Sequence, residues 1–196
     1  RATIRIPADV DADDDPVGFS LALDELVRMG EQPEHWIPEL VDAVQKIGPI
    51  PGWGADVALN AAGRVLTVAG ERRGQRDLER IIAARTLAER PNEPPPGVRS
   101  VAWLETQLAQ RGALLPYGIP SSWLGQSIDV YGVPSGDRSA VSFAIRWHGE
   151  RPAVLWEQTG DQIELTAPCV APDWSTTEVN GESLWPAPAA EHSECV

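Results

Sequence analysis

The chain is short of cations, and lysine is nearly missing. Of its 16 basic residues only Lys46 is a lysine, against 29 acidic residues and a net charge of −13 in 196 residues. That balance excludes the cationic footprint that nucleic-acid phosphates demand, and it disfavours anionic membrane surfaces. No apolar run is long enough to cross a bilayer, since Gly, Arg or Pro breaks each one. No basic-then-apolar leader opens the chain. It begins at Arg1 and not Met, so an upstream piece is expected, and a cytoplasmic location is the default. Cysteine is scarce too: Cys169 and Cys195 are the only thiols. Their separation fits no zinc or redox spacing. Two free thiols are expected in preference to a disulfide between them, with Cys169 a small buried side chain. His35, His148 and His192 are scattered and form no metal-ligand spacing. Phosphate-loop, nucleophile-elbow and dinucleotide signatures are all lacking, so no cofactor is expected.

What is present is ordinary in bulk. Apolar residues make up 42% and charged residues 23%, enough for a real core. The first half reads as helix. Asp15 precedes Pro16, an acidic cap followed by proline at the first helical position. Phe19, Leu23, Leu26 and Val27 then share a face, and Gly30 stops the run. Pro33 to Gly48 repeats the logic with Trp36, Ile37, Leu40, Val41 and Val44. A third helix is expected over about 55–69. A fourth is expected over the segment GQRDLERIIAARTLAER, with Leu78, Ile81, Ile82, Arg85 and Leu87 near one side. Short Gly/Pro connections imply antiparallel neighbours. Arg73, Arg76 and Arg80 share a face interleaved with Asp77 and Glu79, a solvated pattern.

Residues 91–98 hold three consecutive prolines, an extended spacer. One more helix, with Ser100 as its cap, leads into short alternating runs. In SAVSFAIRW, Val141, Phe143, Ile145 and Trp147 fall on one side, and Ser142, Ala144, Arg146 and His148 on the other. A two-residue turn at Gly149-Glu150, with Gly first as type II′ requires, sets His148 opposite Arg151, Trp147 opposite Pro152, Ile145 opposite Val154 and Phe143 opposite Trp156. Apolar meets apolar throughout, which fixes the register and puts Trp147 and Trp156 on the buried face. The fold class is therefore α+β: an N-terminal antiparallel helical array followed by a small antiparallel β-sheet or β-sandwich. The expected divisions are a helical region 1–90, a linker 91–98, a helix-plus-β module 99–188 and a polar tail 189–196.

Eight Trp stand against two Phe and two Tyr. Trp53, Trp123, Trp174 and Trp185 neighbour Gly, Pro or Ser and read as loop residues. A loop indole offers a flat apolar face for a sugar ring, or it plugs the end of a sheet. Tyr117, Trp123, Gln126, Asp129 and Tyr131 cluster within fifteen residues and are the candidate ligand-binding set. Asp9, Asp11, Asp13 and Asp15 supply alternating oxygens that invite calcium. Asp14 stands where the loop needs Gly, and Ser20 where it needs a bidentate Glu. Glu105, Asp129 and Glu157, each beside an aromatic, are the carboxylates nearest to a catalytic setting.

The segments GALLPYGIPSSWLGQSIDVYGVP, VSFAIRWHGERPAVLWEQ and LTAPCVAPDWSTTEVNGESLWP resemble the β-rich C-terminal modules that follow helical-toroid glycoside hydrolases of bacteria, of glucoamylase-like and debranching type. AAGRVLTVAGERRGQRDLERI is similar to a closing helical hairpin of such a toroid. The resemblance covers about the last 140 residues. It implies that the catalytic acids belong to a toroid, and at most five helices are expected here, so no catalytic residue carries over. The functional expectation is a non-catalytic accessory or binding protein, with carbohydrate affinity through loop aromatics. The alternatives are a protein-interaction or assembly subunit, and a glycosidase-like hydrolase fragment using an Asp/Glu pair.

Overall fold

Helix α1 (Pro16–Arg28) starts where its cap dictates. The Asp15 carboxylate accepts the Gly18 N–H at 2.9 Å, and Arg99 pairs with it at 2.6 Å. The chain is described here from a computed structural model covering residues 11–188. It divides into two compact units, residues 1–103 and 104–196.

In the first unit α1 turns Phe19, Leu23 and Leu26 inward. A single 3-10 turn (Glu34–Trp36) then feeds α2 (Ile37–Ile47), which buries Leu40, Ala43, Val44 and Ile47. Helix α3 (Trp53–Val68) is the centre of the array and packs on α1, α2 and α4 (Arg72–Ala83). Its buried alanines, Ala55, Ala58, Ala61 and Ala62, let those neighbours come close. The larger side chains between them each contribute about 1.5–3 kcal/mol of burial.

Two buried carboxylates tie this unit. Asp24 takes a two-pronged contact from Arg64, with Nε at 3.1 and 3.2 Å and Nη2 at 2.7 Å. Asp56 accepts Arg85 Nε at 2.9 Å and the backbone N–H of Ala88 at 2.9 Å. That second set corrects the expected fourth helix. Helix α4 ends at Ala83, because Asp56 captures the N–H that a longer helix would return to its own carbonyls, and Arg85 donates to Gly48 O at 2.6 Å. Leu87, expected near the apolar side, is 52% exposed. Residues 85–98 hold no helix or strand. Within the same unit the Arg90 guanidinium lies 3.7 Å from the Trp103 ring centroid, a cation–π contact.

Helix α5 (Arg99–Leu108) crosses the division between the units. Ser100 lies inside it, and its hydroxyl donates to Gly97 O at 2.7 Å, so it is not the cap expected. A hairpin follows, β1 (Ala109–Gln110) with β2 (Ala113–Leu114). Its centre, Arg111-Gly112, has φ of 49° and 82°, the paired positive values of a type I′ turn. The larger strands are β3 (Ile128–Pro134), β4 (Ser139–His148) and β5 (Arg151–Gly160). They are followed by β6 (Leu165–Ala167), β7 (Ala171–Thr176) and β8 (Asn180–Leu184). Two four-stranded sheets result, in orders β1-β2-β6-β7 and β3-β4-β5-β8. The second is antiparallel throughout, whereas β2 and β6 pair in parallel.

The β4–β5 register is the one the apolar pairing required, with Phe143 opposite Trp156 and Ile145 opposite Val154. Gly149, at φ 65°, opens the turn. Val141, Phe143, Ile145, Val154 and Trp156 enter one core together with Leu114, Leu165 and Ala171 of the other sheet. Tryptophan completes it: Trp156, Trp174 and Trp185 form an edge-to-face chain with centroids 5.3 and 5.1 Å apart. Trp156 is buried, with Nε1 donating to Glu178 O at 3.1 Å. Trp147, at the strand end, is only partly buried, and its Nε1 donates to Gln126 O at 2.8 Å.

Two of the four tryptophans read as loop residues lie elsewhere: Trp53 opens α3 and is buried, and Trp174 lies in β7. Trp185 follows the end of β8, outside any strand, and is 1% exposed. Trp123 sits in a short 3-10 turn (Ser121–Trp123), half-buried against the core. Cys169 is disulfide-bonded, which corrects the free thiol expected there. Cys195 and His192 lie outside the described residues.

Candidate functional site

Strand alternation that buries Phe143 and Trp156 leaves the opposite face of the β3-β4-β5-β8 sheet to solvent. Two rows of side chains cross it. Asp129, Ala144, Leu155 and Glu182 align in one, and Ser142, Glu157 and Asn180 in the next. At the β3 end the ladder is irregular. Val130 pairs with Phe143 and Val133 with Val141, so Tyr131 and Gly132 together oppose Ser142. This is a β-bulge. Gly132 meets its positive φ of 62° without a Cβ penalty, and its N–H donates to Ser142 Oγ at 3.0 Å. The bulge presents Tyr131 at 81% exposure, the most exposed large apolar side chain among the described residues.

The face is a shallow trough. Small residues Ser142 and Ala144 form its floor, and Asp129, Tyr131, Leu155 and Glu157 form the walls of a first depression of about 220 Å³. A second depression of about 450 Å³ lies between β5 and β8, lined by Leu155, Glu157, Asn180, Gly181 and Glu182. The two share the Leu155–Glu157 wall. Arg146 pairs with Asp129 at 2.6 Å and also donates to Ile128 O at 3.0 Å. The Glu157 and Glu182 carboxylates have no ion-pair or hydrogen-bond partner among the described residues. All four of these charged groups are solvated.

Of the five candidate ligand residues, the fold brings only Asp129 and Tyr131 to this face. Tyr117 is 41% exposed, and its hydroxyl donates to Gln110 Oε1 at 3.4 Å. Trp123 packs on the core, and Gln126 caps the Trp147 indole with its backbone carbonyl. Glu157, noted only for its aromatic neighbour, belongs to the trough, while Glu105 sits on α5. Ser142, Ala144 and Leu155 were missed, yet the hairpin register already placed them together on the outward side. Asn180 and Glu182 had no signal, because β8 joins β5 across more than twenty residues of chain.

The alternating aspartates do not converge. Asp13 N–H donates to Asp11 at 2.7 Å, Asp13 pairs with Lys46, and Asp15 caps α1. Asp9 lies outside the described residues. Among the described residues no group of three or more His, Cys, Asp or Glu is placed to hold a metal ion. No described helix is long and apolar enough to cross a membrane. No known protein family, curated protein or solved structure matches the chain.

Proposed function

We propose that the β unit is a non-catalytic binding module that takes carbohydrate on the outer face of its larger sheet. The observation that carries this reading is the Tyr131 ring, open to solvent above a floor of Ser142 and Ala144 and flanked by Asp129 and Glu157. A sugar presents a C–H face that packs on an aromatic ring, and hydroxyls that donate to carboxylates as charge-assisted hydrogen bonds. The resemblance to modules that accompany glycoside hydrolases supports the same class.

A hydrolase is less well supported. Asp129 and Glu157 stand two strands and one row apart, about 12 Å at the backbone, and an acid catalyst is normally held in a desolvated pocket. Docking of a protein partner is the second reading, favoured by Leu155 and Leu184, both more than 40% exposed on this face. For the compartment, the disulfide-bonded Cys169 favours an oxidising location over the cytoplasm.

The test is affinity electrophoresis and titration calorimetry against soluble glucans. Tyr131→Ala should weaken binding about tenfold or more, the loss of roughly 1.4 kcal/mol of aromatic contact, with the circular dichroism spectrum unchanged. Undiminished binding by a folded Tyr131→Ala protein would remove the basis of the reading.

A further inference from the structure

We infer that the trough takes a linear, uncharged oligosaccharide laid across the strands from Tyr131 towards Glu182, in two adjoining subsites. This rests on the carbohydrate reading above and adds the length, direction and charge class of the ligand. The row Asp129–Ala144–Leu155–Glu182 spans three strand spacings, about 14 Å. The two depressions along it are contiguous, and the farther one has about twice the volume of the nearer. Neither is enclosed, so the chain of sugars can run past both ends.

Each part of the trough has a task in such a complex. Tyr131 stacks the first ring. Leu155 is the apolar ridge that the next ring's C–H face crosses. Glu157, unpartnered and common to both depressions, accepts hydroxyls from either side of that ridge. Asn180 and Glu182 supply a donor and further acceptors at the far end.

Charge sets the class. Asp129 is already matched by Arg146, whereas Glu157 and Glu182 carry unbalanced negative charge on a chain of net −13. A uronate or sulfated chain would set like charges together without a counter-cation, and water already solvates those carboxylates better. Hydroxyl groups meet the same oxygens without that repulsion.

The experiment is calorimetry of the full chain with maltooligosaccharides and cello-oligosaccharides, from the single sugar to the tetramer, beside polygalacturonate. Affinity for one of the neutral series should rise at least tenfold between the single sugar and the tetramer. Glu182→Gln and Asn180→Ala should each lower tetramer affinity severalfold and leave the disaccharide unchanged. Polygalacturonate should not bind. Affinity that does not depend on length, tetramer binding indifferent to both far-end variants, or polygalacturonate binding as well as the neutral chain would each overturn the inference. If the single sugar binds as tightly as the tetramer and Tyr131→Ala abolishes it, the carbohydrate reading stands and the extended trough falls. Binding of no sugar overturns both.

Discussion

Gly181→Ala is the sharpest perturbation of the packing beneath the trough. Gly181 pairs with Trp156 across β5 and β8, and the indole lies over it. A Cβ there would stand 2.7 Å from Trp156 Cζ2, 2.9 Å from Cη2 and 3.3 Å from Cε2. Carbon atoms sit best at about 3.5–4.0 Å, so ring or backbone must yield by roughly 1 Å. The ring is not free to do so. Its Nε1 is tied to Glu178 O, and Trp174 meets it edge-on. Overpacking of this kind costs about 1–3 kcal/mol. Loss of glycine's freedom in the unfolded chain returns about 0.4–1 kcal/mol, leaving a net destabilisation between about 0 and 2.6 kcal/mol. Urea unfolding followed by far-ultraviolet circular dichroism measures it without relying on the indole itself. In a Trp156→Leu background the clash has no ring to strike, so the same glycine change should be neutral or mildly stabilising. The cycle would then show a coupling of about 1–3 kcal/mol. If the two changes simply add, the close packing of this pair is refuted.

Three further outcomes are expected. Asp24→Asn should cost about 3 kcal/mol, because it leaves Arg64, only 20% exposed, without its charge partner; an unchanged melting temperature would count against that. Lys46 has its pKa held above the usual lysine value, first by its hydrogen bond to Asp13 and then by that to Asp42. The folded state therefore binds this proton more tightly than the unfolded chain does. The stabilisation is present below the ordinary lysine pKa and fades as pH rises through the raised one. The parent and Lys46→Met should thus differ in melting temperature at neutral pH and low salt, and converge at strongly alkaline pH. Cys169 should resist iodoacetamide in denaturant until a reductant is added, as peptide mass spectrometry would report; immediate alkylation contradicts the disulfide.

The parts of the fold that were legible in the sequence are those set by short-range rules. Asp15, Pro16 and Gly30 bracket α1, and the Gly149 turn with its apolar cross-strand pairs fixes β4 against β5. The end of α4 was not legible, because the decisive group is Asp56, some thirty residues earlier in the chain. Strand β7 was hidden because Trp174, beside Ser175, read as a loop residue, although the segment is held by β6 and its Trp174 by two other indoles. The same distance effect divided the candidate site. Asp129 and Tyr131, near neighbours on one strand, reach the face together, while Tyr117, Trp123 and Gln126 were close only along the chain.

The irregularity at Tyr131-Gly132 has a consequence for behaviour at high concentration. β3 is the last strand on its side of the sheet, and a straight last strand is a template onto which another molecule can add its own. Two residues standing where one belongs throw the donors and acceptors out of step, so an incoming chain loses its partners halfway along. The kink that offers an aromatic ring to a ligand thereby also guards the molecule against growing into fibrils.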